Sequence, residues 1–293
     1  MEPTSRPWLA ALWMSGAMLM FSLMAIAGRE LSGALDTFEI MMYRSLIGII
    51  IVVVVGYALG GLGSITTQQM GLHTLRNIGH FAGQNLWFFA VASIPLAQLF
   101  AFEFTTPIWV ALLAPLFLGE KMTPTRVGVA ILGFSGILIV ARPGEMEITP
   151  GVIAAACCAI GFAASVITTK LLSRHQSVIC ILFWMVVMQF AFGLILAAYD
   201  GDVAFPHGGQ LVWVTIISCC GLGAHFCVTT ALSLAPASVV SPLEFFRLPL
   251  IAAVGLVLYQ EPLLPSVFVG AAIVFTANLI NLRAEQRRRV APA

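Results

Sequence analysis

The sequence carries very little charge for its length. Only 9 % of its 293 residues are charged, and 14 Lys and Arg residues nearly balance 13 Asp and Glu residues. Because a soluble domain carries about 25 % charged residues, this chain lacks the charge to cover a water-exposed surface of its size. The composition argues against a cytosolic enzyme, a secreted module and a disordered protein. The net charge of +1 gives no indication of nucleic-acid binding.

The usual signals of catalysis and metal binding are also lacking. The sequence contains no GxSxG, HExxH or Walker A motif, which argues against a serine hydrolase, a zinc protease and a P-loop ATPase. Its six cysteines lie in apolar runs, without a CxxC pair or the Cys/His spacing of a zinc site. We therefore expect no enzyme activity, no cofactor and no metal site, and we interpret the cysteines as buried thiols.

Long apolar runs dominate what is present: 60 % of the residues are hydrophobic and the mean hydropathy is +0.99. A membrane-spanning helix needs about 20 mostly apolar residues. The sequence therefore predicts an all-α, polytopic membrane protein of ten transmembrane helices joined by short loops. The ten windows are about 8–27, 37–59, 71–91, 95–117, 124–141, 150–169, 177–199, 210–231, 237–259 and 264–282.

The distribution of Lys and Arg predicts the orientation of the helices. With a cytoplasmic N-terminus, ten of these residues fall at the inner ends of the helices and two at the outer ends. We therefore expect both termini in the cytoplasm and a basic cytoplasmic tail over residues 283–293. The inner residues are Arg6, Arg76, Lys121, Arg126, Lys170, Arg174, Arg283, Arg287, Arg288 and Arg289, and the outer residues are Arg29 and Arg142.

The two halves of the chain resemble each other. A shift of 141 residues superimposes rare residues, including Pro95 on Pro236, Glu103 on Glu244, Glu120 on Glu261, Pro124 on Pro265 and Arg142 on Arg283. This predicts two repeats, 8–141 and 149–282, of five helices each. Because five is odd, the second repeat enters the membrane from the opposite side. Inverted repeats are typical of transporters whose site lies between the halves near the bilayer midplane.

The segment Phe117-Leu118-Gly119-Glu120-Lys121-Met122-Thr123-Pro124, the glycine-spaced helix after it and Arg44 in the second helix carry a family resemblance. The sequence resembles the drug/metabolite transporter superfamily of EamA type, and within it the YddG-like amino-acid exporters. The resemblance implies a secondary transporter that needs no ATP and works by alternating access through a central cavity. It also implies a bacterial-type inner (plasma) membrane location.

We predict export of amino acids as the main function. The alternative is an uptake carrier for riboflavin, S-adenosylmethionine or a similar metabolite, since the run Phe246-Arg247-Leu248-Pro249 is similar to some of those carriers. The expected partners are a small-molecule substrate and the lipid bilayer, with no nucleic acid. Ten helices can enclose a cavity within one chain, so a monomer is sufficient for transport.

Ionisable residues within the predicted helices are the first candidates for the substrate cavity, because charge inside a bilayer is costly. They are Arg44, Glu103, Glu244 and Arg247. Three interpretations remain open. The charges form ion pairs that fix helix packing, or they hold the carboxylate and ammonium groups of a substrate, or a glutamate carries a proton.

Polar and aromatic residues at similar depth complete the predicted cavity: His80, Gln84, Thr106, Trp109 and His225. Hydrogen bonding between helices and core packing are the alternatives for these side chains. We expect Arg76 to extend to the cytoplasmic interface. Glu120 and Glu261 are interpreted as carboxylates at helix N-termini.

Prolines in the fourth and ninth predicted helices are candidates for gating. Pro107, Pro242 and Pro249 each remove a backbone hydrogen bond and permit a kink. Because the two glutamates lie in the same helices, we expect these prolines to form gating kinks.

Overall fold

The computed structural model describes residues 7–118, 122–142, 147–199, 201–234, 243 and 246–290. Within these ranges the chain is helical, apart from loops and one isolated β-bridge between Ser32 and Leu35. The α-helices are α1 (Pro7–Leu31), α2 (Thr37–Ala58), α3 (Met70–Ser93), α4 (Leu96–Glu103), α5 (Thr106–Leu118), α6 (Pro124–Ala141), α7 (Pro150–Leu172), α8 (Val178–Ala197), α9 (Gly209–Leu234), α10 (Arg247–Tyr259) and α11 (Pro265–Val290).

Side-chain caps explain where several helices begin. At α2, Asp36 accepts from the Glu39 amide and the Glu39 side chain accepts from the Asp36 amide, which is a capping box. Thr123 caps α6, Thr149 caps α7 and Ser177 caps α8 in the same way, each accepting from the amide three residues on. These starts lie within one residue of the predicted windows.

Seven helical segments are long and apolar enough to cross a membrane: Trp8–Leu31, Thr37–Ala58, Leu96–Leu113, Pro124–Ala141, Pro150–Leu172, Val178–Ala197 and Gly209–Val228. Arg247–Tyr259 and Pro265–Asn281 are shorter apolar helices. The all-helical prediction is confirmed for the described residues, whereas ten membrane crossings remain a prediction. Helix α3 is as long as these segments but less apolar, because its buried face carries His, Arg, Asn and Gln side chains.

The most extensive helix contacts join the two halves of the chain. Helix α1 packs on α9, α3 on α7, α2 on α8, and α6 on α11. A shift of 141 residues relates α1 to α7 and α9 to α3, so the α1–α9 pair corresponds to the α7–α3 pair. The same shift relates α2 to α8 and α6 to α11, so each of these two pairs consists of equivalent helices from the two halves. The same shift carries Thr106–Leu118 onto Arg247–Tyr259, the full extents of α5 and α10.

Glycines allow the closest of these contacts. A Cβ atom at Gly161 of α7 would lie 2.8 Å from the Gly79 carbonyl oxygen and 2.8 Å from the Gly83 Cα atom of α3. These distances leave no room for a methyl group, so the two helix backbones touch. This agrees with the interpretation of small residues in this helix as a packing surface.

We expect Gly161→Ala to destabilise the protein by about 1–3 kcal/mol, because overpacking against backbone forces the helices apart. Gly128→Ala is the matched control, since nothing lies within 4 Å of its added Cβ atom. The thermal unfolding midpoint of the detergent-purified variants measures the effect. Equal midpoints for the two variants would contradict backbone contact between α3 and α7.

Candidate functional site

A buried ion pair joins the two halves of the chain. Arg247 Nη2, at the start of α10, lies 2.7 Å from Glu103 Oε1, at the end of α4. The other carboxylate oxygen, Oε2, accepts a 2.8 Å hydrogen bond from Trp87 Nε1 of α3. The Arg247 and Glu103 side chains are 6 % and 18 % exposed. Both Glu103 oxygens are therefore engaged within the protein.

Aromatic rings enclose the Arg247 guanidinium. Its central carbon lies 5.0 Å from the ring centre of Phe21, 4.6 Å from that of Phe100 and 5.5 Å from that of Phe104. Such contacts stabilise a cation that has lost its water. A small pocket beside the guanidinium is lined by Met14, Ala17, Met18, Phe21 and Arg247.

A break in the fourth predicted helix positions Glu103. Helix α4 ends at Glu103 and α5 begins at Thr106, and side chains satisfy the carbonyls that the break releases. Thr105 Oγ1 donates to the Phe102 carbonyl, Thr106 Oγ1 to that of Glu103, and Asn278 Nδ2 to that of Phe104. Non-helical backbone at membrane depth requires such partners.

The prolines lie at helix starts. Pro107 is the second residue of α5 and Pro249 the third residue of α10. In the first turn an amide has no partner within its helix, so a proline there is compatible with a straight helix. The sequence predicted kinks within continuous helices. At Pro107 the structure instead has a break between two helices, two residues before the proline. Pro242 and Glu244 lie outside the described residues.

Histidine and glutamine side chains form a polar layer next to the ion pair. The His80 and His225 ring centres lie 6.3 Å apart, and Phe21 packs edge-on against His225 at 5.8 Å. The Gln189 amide donates to His80 Nδ1 at 2.9 Å. Gln84 is buried, and its Oε1 atom has no hydrogen-bond partner among the described residues. Phe21 therefore connects the layer to Arg247.

Two further arginines are buried beside this layer. Arg44 of α2 is 7 % exposed, and its hydrogen bond is to the thioether sulfur of Met41 at 3.4 Å. Arg76 of α3 is 5 % exposed and donates to Thr169 Oγ1 at 3.1 Å and to Asn77 Oδ1 at 3.0 Å. The prediction that Arg76 extends to the interface is wrong, because α7 and α8 cover this part of α3.

Trp109 lies in a different environment from the polar layer. It is half-buried and packs edge-on against Phe134 of α6, with the ring centres 5.0 Å apart. The structure thus brings Arg44, His80, Gln84, Glu103, His225 and Arg247 into one central region, bordered by Thr106. It places Trp109 against α6.

A second ion pair lies at the ends of the helices. Arg29 Nη1, near the end of α1, is 2.7 Å from Glu261 Oε1, and Glu261 Oε2 accepts from the Leu96 amide at 2.8 Å. Arg29 also donates to the carbonyls of Val91 and Ile94 at the end of α3. We call this group the Arg29 clamp. Glu261 lies at a helix N-terminus as expected, but the helix is α4 and not the α11 that follows it.

Sequence reasoning missed Phe21 and Phe100 as neighbours of the ion pair, and it did not predict the bond from Trp87 to Glu103. No pattern singles out Phe21 and Phe100, because 20 phenylalanines are spread through the apolar runs. Trp87 was detectable: it shares a helix face with His80 and Gln84, which are seven and three residues before it.

Comparison with known proteins identifies the family. The family model described as "EamA-like transporter family" matches residues 8–142 and again residues 149–283. The chain belongs to this family. It is therefore a secondary transporter of small metabolites and a multi-pass membrane protein of bacterial inner-membrane type.

Characterised members of the EamA-like family are similar over most of this chain. A riboflavin transporter of Rhizobium johnstonii is 29 % identical over 235 residues, covering 80 % of this chain and 77 % of that protein. A riboflavin transporter of Vibrio cholerae is 27 % identical, covering 92 % and 91 %. An S-adenosylmethionine uptake transporter of Rickettsia felis is 24 % identical, covering 89 % and 88 %.

The fold also occurs in a solved crystal structure. That chain superimposes with a TM-score of 0.64 at 18 % identity, covering 95 % of this chain and 98 % of its own. The likeness extends to the fold alone. The functions of these relatives, transport of riboflavin and uptake of S-adenosylmethionine, favour the alternative prediction over the main prediction of amino-acid export.

Proposed function

We propose that this EamA-like transporter is an uptake carrier for a flat, acceptor-rich metabolite of the riboflavin type. The observation that carries the proposal is the central region itself. It combines buried donors on Arg44 and Arg76 with the aromatic faces around Arg247. A ring system with several carbonyl and ring-nitrogen acceptors matches both features.

The geometry of Glu103 argues against a zwitterionic amino acid. Holding an ammonium group requires a carboxylate with an available oxygen. Arg247 and Trp87 already engage the two Glu103 oxygens at 2.7 and 2.8 Å. An amino-acid substrate would have to displace one of these bonds, and a buried arginine would then lose its partner.

The charge of the region separates the two kinds of uptake substrate. S-adenosylmethionine carries a sulfonium, an ammonium and a carboxylate, which gives it a net charge of about +1 at neutral pH, whereas riboflavin is neutral. Arg44 and Arg76 lie within electrostatic range of His80 and His225, so a sulfonium there would be repelled by two guanidinium groups. Of these two substrates, riboflavin is the better match.

We further propose alternating access between the two repeats, with both termini in the cytoplasm. The pocket beside Arg247 has a cavity volume of roughly 10 Å³, far less than the roughly 300–1,000 Å³ of ordinary ligand pockets. Entry of a metabolite therefore requires the helices to separate. In this scheme Arg44, His80, Gln84, His225 and Thr106 line the cavity, and the break before Pro107 allows α5 to move.

Uptake by proteoliposomes tests the proposal. We expect saturable entry of radiolabelled riboflavin, and acceleration of this entry by unlabelled riboflavin loaded inside. A tenfold excess of S-adenosylmethionine or of an amino-acid mixture should leave the initial rate unchanged. Empty liposomes give the background rate.

Three results would overturn the proposal. Inhibition by S-adenosylmethionine with its own saturable entry would assign the sulfonium substrate instead. Counterflow of labelled amino acids would restore amino-acid transport. The absence of riboflavin entry into liposomes containing folded protein, shown by a monodisperse elution profile, would reject the riboflavin type.

A further inference from the structure

The central region contains more buried positive charge than its neighbours balance. Arg44 and Arg76 are 7 % and 5 % exposed. Among the described residues, no carboxylate forms an ion pair or hydrogen bond with either of them. Glu103 and Glu261 are engaged with Arg247 and Arg29, and the buried Glu39 accepts from the amides of Asp36 and Ala204.

Loss of the proton cannot relieve this imbalance, because a guanidinium stays charged in proteins. An unpaired charge inside a membrane protein is costly and marks a functional site. Met41 offers Arg44 only a thioether, and Thr169 and Asn77 offer Arg76 neutral oxygens. These contacts satisfy individual N–H groups but leave the net charge in place.

A glycine and two histidines surround the Arg44 guanidinium. Gly221 of α9 lies against it, so closely that an added Cβ atom would be 3.4 Å from Arg44 Nε. His80 and His225 are both within electrostatic range of Arg44 and Arg76. His73 lies on α3, one turn before Arg76. It is fully buried, and both of its ring nitrogens are without a hydrogen-bond partner among the described residues.

We infer that Arg44 and Arg76 form an oxyanion-binding pocket that receives a phosphate or carboxylate group. A planar guanidinium binds such a group through two parallel hydrogen bonds. His80, His225 and the unpaired nitrogens of His73 add further donors. The shared chemistry is an oxyanion, and its source is either an acidic group of the transported metabolite or a free inorganic anion.

That the oxyanion belongs to a transported metabolite rests on the proposed function. The oxyanion pocket and the aromatic rings around Arg247 both adjoin the polar layer. Phe21 connects them, because it contacts both Arg247 and His225. A substrate that fills both parts is a flat ring with an acidic side chain. Riboflavin 5′-phosphate has this chemistry, whereas riboflavin has only the ring and a neutral chain.

Binding to the purified full-length protein tests the pocket without requiring transport. Thermal unfolding is followed in a chloride-free buffer with inorganic phosphate, riboflavin or riboflavin 5′-phosphate. A ligand raises the midpoint by an amount that grows with the logarithm of its concentration divided by its Kd. We expect phosphate to raise the midpoint, and riboflavin 5′-phosphate to bind at least about tenfold more tightly than riboflavin, as one charge-assisted hydrogen bond predicts.

Matched variants locate the effect. Arg44→Gln and Arg76→Gln should each weaken the binding of riboflavin 5′-phosphate at least about tenfold, so that its affinity comes close to that of riboflavin. Arg174→Gln makes the same change at an exposed loop position and should have no effect. If a glutamine variant does not fold, Arg44→Lys and Arg76→Lys keep the charge but lose the two-pronged geometry, and partial weakening is expected.

The outcomes separate the two sources and the two hypotheses. Midpoint shifts by phosphate with equal affinity for the two flavins would assign a free inorganic anion to the pocket. No shift by phosphate and no preference for the phosphorylated flavin would overturn the pocket, even if riboflavin is transported. Phosphate binding that requires Arg44 and Arg76, without flavin transport, would keep the pocket and reject the riboflavin type.

Discussion

Replacing Glu103 with leucine should destabilise the protein by about 3–5 kcal/mol, the range for removing one partner of a buried ion pair. Arg247 would be left with its guanidinium enclosed by Phe21, Phe100 and Phe104. Its Nε atom already has no partner among the described residues. Chemical unfolding of the detergent-purified protein, together with the yield of monodisperse material, measures the loss.

The double variant Glu103→Leu/Arg247→Met is the decisive control. It removes both charges and keeps a similar volume, so most of the stability should return. Glu103 lies at the C-terminal end of α4 and Arg247 at the N-terminal end of α10. Both charges therefore face helix-dipole ends of their own sign, which makes each dependent on the other. A double variant as unstable as Glu103→Leu would argue against the pair as the cause.

Transport by the double variant distinguishes structure from function. If the pair only fixes packing, the stable double variant should carry substrate at a rate near that of the parent protein. If substrate binds Arg247, transport should stay lost although stability returns. Initial uptake rates in proteoliposomes, normalised to inserted protein, give the answer.

Removing the Arg29 clamp should open one end of the bundle. Glu261→Gln loses the charge that holds Arg29 at 2.7 Å and weakens the bond to the Leu96 amide. Charge-assisted hydrogen bonds contribute about 1.5–3 kcal/mol each, so we expect local opening to increase about 10–100-fold. Hydrogen exchange of the peptide covering residues 91–99, followed by mass spectrometry, measures this opening.

Variants at Arg29 supply the comparison. Arg29→Gln should raise exchange by at least as much as Glu261→Gln, because it also releases the carbonyls of Val91 and Ile94. Arg29→Lys keeps the charge beside Glu261 but cannot reach both carbonyls, so its increase should be smaller. Exchange unchanged in Glu261→Gln would show that the clamp does not hold this end closed.

The helices were largely predictable, because hydrophobic run length and capping residues act locally. Asp36, Thr123, Thr149 and Ser177 mark helix starts in the sequence and cap them in the structure. The break after Glu103 was not predictable from local pattern alone. It depends on Asn278, which is 174 residues away and donates to the Phe104 carbonyl.

The candidate site was predictable in composition but not in pairing. Costly polar residues in apolar windows identified Arg44, His80, Gln84, Glu103, His225 and Arg247. In the structure Arg247 pairs with Glu103 of the other repeat, and Glu244 lies outside the described residues. Which charges meet depends on how the halves pack, and residue spacing within one helix does not contain that information.

The pairing of helices across the halves has a consequence for biosynthesis. Helix α1 leaves the ribosome first, yet its main packing partner, α9, is made some 180 residues later. The same holds for α2, α3 and α6, which pack on α8, α7 and α11. The first repeat must therefore wait in the bilayer with its glycine-lined faces uncovered until the second repeat has been inserted. A nascent chain that stops after the first repeat is left without its main packing partners, and quality-control proteases would meet it in that state.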